Sequence, residues 1–261
     1  MKSLQIAATG MAAQQLRVDV ISNNIANMST AAYRPRTAEF SDLMYQQYLT
    51  PGTITSQIGT VVPAGIQLGT GVKPSTVSME ITQGALRETG SDLDLAIDGT
   101  GYFEVTLPSG EPAFTRDGKF NRSPDGEIVT MEGFPLADGI IIPEDARSIS
   151  ISRDGEVVAY FDNEAAGQPI GNISLTRFVN EKGLEAIGDN MFRETEASGA
   201  PNRLVPSTEG VGQLHQGYLE DSGVDVVQEI SELIEAQRGY ELNSKVITAA
   251  DEMLAATTRV R

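Results

Sequence analysis

Several short stretches of this chain place glycines or carboxylates where they could do chemistry. Gly99–Gly101 begins like a dinucleotide-binding loop, and Asp94 with Asp98 begins like a calcium loop. The first lacks the third glycine of that motif and precedes a strand pattern rather than a helix. The second has Ala96 at its second ligand position and Val105 in place of the bidentate glutamate. We therefore expect neither a cofactor nor a bound metal.

Other catalytic residue types are scarce. The 261 residues include no cysteine, which excludes disulfides, thiolate nucleophiles and cysteine-based zinc sites. His215 is the single histidine, and its polar surroundings favour a surface or packing role. The G-x-S-x-G and S-x-x-K signatures of serine hydrolases are missing. Carboxylate pairs for glycoside chemistry remain possible in an acidic chain, but no pattern selects one, so we expect no catalytic residue and no enzyme.

The charge balance excludes further classes of protein. The chain carries 36 acidic and 19 basic residues, a net charge of −17, without any basic cluster. Binding to nucleic acid in general is excluded, because phosphate contacts need clustered lysine and arginine. No window approaches 18 apolar residues, so membrane insertion is not expected. Polar residues such as Gln5 and Thr9 interrupt the N-terminal apolar stretch, which predicts a cytoplasmic protein or one exported without signal cleavage.

Each end of the chain carries a heptad repeat, so the elements that would position any site include a predicted helix at each end. In the first, Ile21 joins a line of apolar residues spaced by seven, which is typical of a helix that pairs with another helix. The members of the two lines are Leu4, Met11, Val18, Ile21 and Ile25, then Val226, Ile230, Leu233, Tyr240, Ile247 and Leu254. Residues 1–36 carry a net charge of +3 and residues 221–261 carry −4. We predict that the two ends pair, with these residues as the assembly interface.

The start of the second helix is marked by a possible capping box. Ser222 and Asp225 have the spacing of a hydroxyl at the N-cap and a carboxylate at the third helical position. No proline follows, so this helix is expected to run for about 35 residues, or roughly 50 Å.

The middle of the chain shows short β-strand patterns. The expected strands are 93–97, 102–107, 126–130, 148–151, 156–161 and 173–178. Asp-Gly pairs at 98–99, 117–118, 125–126 and 154–155 predict tight turns with positive φ at glycine. Residues 80–145 hold fourteen acidic and four basic residues, so much of the charge excess lies here.

These patterns predict an α+β fold. It would combine a discontinuous, coiled-coil-like helical domain from both termini, residues 1–30 and 222–261, with an inserted all-β domain of short antiparallel strands, residues 72–203. Residues 31–71 and 204–221 are expected to form an extended connector. Tyr45 and Tyr48 are its predicted contact residues.

Two terminal segments carry a resemblance to a known family. Residues 23–34 (NNIANMSTAAYR) resemble the signature that flagellar rod and hook subunits carry after their first helix. Residues 222–227 (SGVDVV), 237–245 (QRGYELNSK) and 251–254 (DEML) are similar to the C-terminal signature. This chain departs from both signatures at one position each. It has Ala32 where the family usually has glycine, and Gly223 where the family usually has asparagine.

The middle of the chain is similar to the same family. Residues 94–103 (DLAIDGTGYF) and 114–120 (FTRDGKF) resemble its β-domain motifs. Residues 63–72 (PAGIQLGTGV) and 198–202 (SGAPN) are similar to distal rod members in particular, and hook subunits are longer.

The resemblance implies a structural subunit of the bacterial flagellar basal body. Such a subunit would form a hollow helical homopolymer that crosses the periplasm as a drive shaft between motor and hook and encloses the export channel. Its implied partners are further copies of itself, proximal rod subunits, hook subunits, the L and P ring proteins as a bushing, and the flagellar type III export apparatus.

Other functions remain open on the residues alone. A proximal rod subunit of the same family is one alternative. From other classes, the acidic composition fits a carbohydrate-active β domain with helical oligomerisation arms, and the strand pattern fits a phage-tail or adhesin-like binding module. Polymerisation into rods would distinguish the structural function from both of the latter.

Overall fold

A computed structural model describes residues 2–50, 65–162, 167–208 and 210–259. Residues 51–64 of the predicted connector therefore lie outside the described residues. The elements are α1 Lys2–Ala26; β1 Arg36–Asp42; β2 Tyr45–Leu49; β3 Ile66–Gly69; β4 Val72–Met79; β5 Leu86–Glu88; β6 Leu95–Asp98; β7 Phe103–Thr106; β8 Pro112–Thr115; β9 Asn121–Arg122; β10 Ile128–Val129; β11 Ala146–Ile151; β12 Glu156–Phe161; β13 Gln168–Asn172; β14 Leu175–Arg177; a 3-10 turn, Glu181–Gly183; β15 Glu185–Gly188; β16 Met191–Arg193; β17 Asn202–Leu204; β18 Gln213–Gln216; β19 Tyr218–Glu220; and α2 Val226–Arg259. The predicted α+β class, with helices at both ends and short antiparallel strands between them, is confirmed.

The chain forms two compact units. The helical unit takes its described residues from the ranges 1–26, 36–78 and 225–261, and the β unit takes them from 27–35 and 79–224. These bounds differ from the predicted ones. Residues 204–221, predicted as connector, belong to the β unit because β18 pairs with β6 and β19 pairs with β5. Residues 72–78, predicted as the start of the β domain, belong to the helical unit because β4 pairs with β1.

In the helical unit, α1 and α2 run antiparallel. Gly10 lies opposite Asn243, Gln14 lies opposite Gly239, and Asn24 bonds to Glu229, so the partner number falls as the α1 number rises. A second antiparallel pair, β2 with β3, forms a hairpin in the same unit.

The predicted capping box at the start of α2 is wrong. Oδ1 of Asp225 accepts the backbone N–H groups of Val227 at 2.9 Å and Gln228 at 3.2 Å. A short carboxylate at the residue before the first helical turn satisfies donors that the helix itself leaves unpaired. Asp225, rather than Ser222, is therefore the N-cap, and α2 starts three residues later than the box indicates.

The β unit is a set of small antiparallel sheets. The largest has the strand order β15-β16-β8-β7, the next has the order β11-β12-β13, and the remaining strands pair as β5 with β19, β6 with β18, β9 with β10 and β14 with β17. All six predicted strands overlap observed ones. The strands that were missed are mostly two to five residues long, which is too short for an alternating pattern to stand out.

Two hydrophobic clusters fill the β unit. The larger collects aliphatic side chains and two phenylalanines from most of the strands, including Leu95, Ile97, Phe103 and Val105. In the smaller, Tyr102 packs edge-to-face on Phe178 and Phe192, with ring centroids 6.0 and 5.9 Å apart. Edge-to-face packing of buried rings adds to the stabilisation from area burial.

Three of the four Asp-Gly pairs have glycine in the left-handed region, as predicted. The φ angles are +117° at Gly99, +86° at Gly126 and +86° at Gly155. The prediction is wrong for Gly118, where a Cβ would instead lie 1.5 Å from the carbonyl oxygen of Leu95. Close backbone approach, rather than a special φ, requires glycine there.

Candidate assembly interface

The paired helices approach each other closely because small residues line their contact. A Cβ placed on Gly10 would lie 3.0 Å from Nδ2 of Asn243, and one on Gly239 would lie 3.1 Å from Cδ of Gln14. Ala7 and Ala13 on α1 are buried, as are two alanines of α2, Ala236 and Ala250. Small side chains let two helix backbones come near each other and leave larger apolar side chains for other contacts.

Charged groups also join the two helices. Arg17 Nη2 donates to Glu232 Oε2 at 3.4 Å and lies 3.9 Å from Glu235 Oε2. Asn24, which is buried, donates to Glu229 Oε1 at 2.9 Å. The basic N-terminal end and the acidic C-terminal end therefore contact each other directly, through Arg17 on α1 and the glutamates on α2.

The predicted interface residues divide by exposure. Ile21 is buried, and most of the others are partly buried: Leu4, Met11, Val18, Ile25, Val226, Leu233 and Ile247. Ile230, Tyr240 and Leu254 are exposed to 46%, 44% and 41%.

The predicted heptad pattern omits four residues of α2 that are buried or partly buried. They form an inner line, each three places after a member of the apolar line Val226, Leu233, Tyr240 and Ile247: Glu229, Ala236, Asn243 and Ala250. A heptad pattern of large apolar residues does not reveal this line, because its side chains are small or polar.

An exposed apolar face remains on α2. Six large apolar side chains of α2 are at least 46% exposed: Val227, Ile230, Ile234, Leu242, Val246 and Met253. Of these, only Ile230 is among the predicted interface residues. A groove of about 390 Å³ also opens in the helical unit between Val18 and Tyr240, with Gln15, Gln237 and Glu241 around it. Exposed apolar surface of this extent on a helix is typical of a surface that contacts another protein.

The β2–β3 hairpin presents a second apolar surface. Met44, Tyr45, Tyr48, Ile66 and Leu68 are all exposed there, so both predicted tyrosines lie on it. The ammonium group of Lys2 lies 4.5 Å from the ring centroid of Tyr48, a cation–π contact that ties the hairpin to the start of α1.

The groups that resemble catalytic motifs have structural partners. His215 Nε2 lies 3.7 Å from Asp98 Oδ2, and the His215 ring packs on Tyr218. The carbonyls of Gly99 and Gly101 accept hydrogen bonds from Arg116. Burial raises the pKa of the Asp117 carboxyl, whose Oδ1 accepts a hydrogen bond from the backbone N–H of Lys119 at 3.1 Å.

Two absences hold for the described parts of the chain. Among the residues that the structure describes, no group of three histidine, aspartate or glutamate side chains is placed to hold a metal ion. Neither of the helices described above is both long and apolar enough to cross a membrane.

Sequence reasoning missed the buried polar groups of the β unit. Arg116 and Glu220 form an ion pair, and Arg34 lies 3.9 Å from Glu181, which accepts a hydrogen bond from Tyr102. Arg116 stands in the FTRDGKF motif, but its partner is 104 residues away, so no local pattern indicated the pair.

Three descriptions of protein families match this chain. The flagella basal body rod protein description matches residues 4–34, the flagellar hook protein FlgE/F/G D1 domain matches residues 96–159, and the flagellar basal body rod FlgEFG protein C-terminal description matches residues 215–260.

Whole proteins match along their entire length. The flagellar basal-body rod protein FlgG of Caulobacter vibrioides is 51% identical over 261 residues, which is all of both chains. FlgG of Agrobacterium fabrum is 46% identical over 99% of each chain. FlgG of Borreliella burgdorferi is 40% identical over 100% of this chain and 99% of the relative. Because this identity extends from end to end, the chain belongs to the flagellar basal-body rod protein family.

Proposed function

We propose that this chain is the subunit of the distal rod and polymerises into a hollow helical shaft that transmits torque from motor to hook. As a member of the rod family it is a structural protein of the flagellar basal body. The observation that carries the polymer is the exposed apolar face of α2, which includes Ile234, Leu242 and Val246. A helix that buries small residues against α1 and exposes large ones gains stability when a second copy covers them.

In the proposed polymer the helical unit forms the inner tube around the export channel. The interface consists of the predicted residues of both helices: Leu4, Met11, Val18, Ile21, Ile25, Val226, Ile230, Leu233, Tyr240, Ile247 and Leu254. Tyr45 and Tyr48 on the β2–β3 hairpin brace neighbouring subunits, and their exposure supports this.

The β unit forms the outer layer of the proposed shaft. Its ranges hold 26 acidic and 11 basic residues, so it carries −15 of the chain's net charge of −17. Uniform like charge limits adhesion between two surfaces that move past each other. A shaft turning inside a ring benefits from such a surface.

The proposed partners follow from a place in the rod. They are further copies of this chain, proximal rod subunits, hook subunits and the L and P ring proteins. The proposed rod crosses the periplasm, and its subunits arrive through the flagellar type III export apparatus. The chain catalyses no reaction in this proposal.

Sedimentation and negative-stain electron microscopy of the purified chain test this function. We expect tubes, and we expect Leu4→Arg or Leu254→Arg to abolish them while the β unit stays folded. The control is Ser109→Arg, an exposed position between β7 and β8 that belongs to neither proposed contact surface. Discrete particles from the unaltered chain, or normal tubes from either leucine variant, would contradict the proposal.

A further inference from the structure

The β unit receives all of its chain connections through three segments. The chain changes units after residues 26, 35, 78 and 224. On the β side these four crossings belong to segments 27–35, 79–84 and 220–224. Any force that the covalent chain carries between the units therefore enters the β unit through these segments.

Backbone hydrogen bonds join the three segments to one another. They run from Glu80 N to Pro35 O at 2.8 Å, from Ala32 N to Glu220 O at 2.8 Å, and from Gly223 N to Tyr33 O at 2.9 Å. Gly84 lies so near the third segment that a Cβ on it would be 1.9 Å from the carbonyl oxygen of Asp221. Each segment thus holds the other two.

The side chain of Glu220 connects this arrangement to a buried arginine. Its Oε2 accepts a hydrogen bond from Arg116 Nε at 2.6 Å, and its Oε1 accepts one from the backbone N–H of Gly84 at 3.0 Å. The side chains of Arg116 and Glu220 are 1% and 2% exposed. A fully buried, charge-assisted hydrogen bond is among the strongest non-covalent links a protein makes.

Arg116 is in turn held by the core. Its Nη1 donates to the carbonyl of Gly101 at 3.0 Å, and its Nη2 donates to those of Gly99 at 2.7 Å and Ile97 at 3.3 Å. A planar guanidinium that donates from all three of its nitrogens cannot turn without breaking several bonds. Arg116 thus links β6 and its following turn to the segments.

We propose that Arg116 and Glu220 act as a clamp that keeps the three segments on the β core when the chain carries torque. This rests on the proposed function as a shaft. Replacing a buried ion pair by apolar residues often leaves overall stability unchanged, so stability alone does not explain the pair. A clamp predicts a local effect: when the ion pair is removed, the three segments open before the core of the β unit unfolds.

Amide hydrogen exchange tests the clamp in the full-length chain. The double variant Arg116→Met/Glu220→Leu removes both charges, and the control is Arg193→Met/Glu185→Leu, an exposed ion pair at 2.9 Å in the same unit. We expect the amides of Ala32, Gly84 and Gly223 to exchange about tenfold faster or more in the first variant, while those of β7 and β8 stay unchanged. The control should change none of them.

A uniform increase across the β unit, or no increase at the three amides, would overturn the clamp. If the double variant fails to fold, Glu220→Gln serves instead. The single oxygen of its carboxamide accepts the Gly84 bond only if the NH2 group, a donor, faces Nε of Arg116, so the bond to Arg116 is lost and exchange at Ala32 and Gly223 should rise at least about threefold. Unchanged exchange in that variant would also overturn the proposal.

Mechanical pulling tests the same clamp under load. The chain has no cysteine, so Ser75→Cys and Ser109→Cys supply unique handles, and the path between them includes segment 79–84. We expect this segment to detach about tenfold faster at constant force in the clamp-less double variant than in the unaltered chain. Equal rates would contradict the clamp. Because this measurement uses monomers, a chain that never forms tubes would remove the proposed function without changing the pulling result.

Discussion

Nδ2 of Asn24 on α1 donates a hydrogen bond to Oε1 of Glu229 on α2, at 2.9 Å and across 205 residues of sequence. The same side chain donates to the backbone oxygen of Arg36 and accepts from its backbone nitrogen, both at 2.9 Å. One buried amide therefore connects α1, α2 and β1. The helical unit depends on this residue to set the position of its three parts.

Asn24→Ala should destabilise the helical unit by about 2 kcal/mol or more, because it leaves three partners unsatisfied next to a buried site. The measurement is urea unfolding followed by helical circular dichroism. Ser22→Ala, at an exposed position of the same helix, is the control and should change stability by less than about 0.5 kcal/mol. Equal effects of the two substitutions would contradict the assigned position of Asn24.

Gly10→Leu should separate the paired helices. Its side chain would enter the space of Asn243, whose amide lies 3.0 Å from the position of a Cβ. We expect a loss of about 1–3 kcal/mol despite the better helix propensity of leucine, because an overpacked contact forces the backbones apart. Asn243→Ala in the same chain should restore part of the loss in a double-mutant cycle. A Gly10→Leu variant as stable as the unaltered chain would show that the two residues are not opposed.

Ala32→Gly should stabilise the β unit by about 0.5–1 kcal/mol, since Ala32 has φ +53° and only glycine adopts that region without cost. The backbone at this position is left-handed although the residue is alanine. Ala31→Gly is the matched control and should destabilise, because φ at Ala31 is not positive. Thermal unfolding of both variants decides. A loss of stability in Ala32→Gly would contradict the strain.

Tyr102→Phe should lower stability by about 2 kcal/mol near pH 8, because Glu181 loses the hydroxyl that donates to it at 2.8 Å. Burial, and then the charge of Glu181, raise the pKa of Tyr102 well above its ordinary value of 10.0. Above pH 10 the unfolded chain loses the phenolic proton that the folded chain keeps, so the unaltered protein loses stability as pH rises further. The advantage over Tyr102→Phe should therefore shrink above pH 10.

The control for this pH dependence is Val157→Ala, which removes buried apolar atoms of the same unit and no ionisable group. In urea unfolding, the free energy of unfolding of that variant should differ from that of the unaltered chain by the same amount at pH 8 and at pH 11, since the loss that Tyr102 causes is present in both. A Tyr102→Phe difference that is the same at both pH values would rule out burial of a protonated phenol.

The helices were predictable because their repeat extends over many turns, whereas the inner line of α2 was not. Ala236 and Ala250 belong to this line because they are small and buried, and a heptad pattern of large apolar residues does not include them. The N-cap was misplaced for a related reason. Ser222 matches the spacing of a capping box, but Asp225 offers a nearer acceptor to the first helical amides.

The polar interior of the β unit lay beyond sequence reasoning. Arg116 and Glu220 are 104 residues apart, and each alone reads as an ordinary surface charge. Only the folded strands bring them together. Tyr45 and Tyr48 are exposed on the β2–β3 hairpin, and their role in assembly stays a prediction.

We propose that this chain builds a tube whose wall is formed by the paired helices. Electron cryomicroscopy of the polymer formed by the purified chain measures this directly through its radial density. We expect a central channel lined by the paired helices, with the β unit at the largest radius. A polymer with the β unit at the channel, or without any channel, would contradict it.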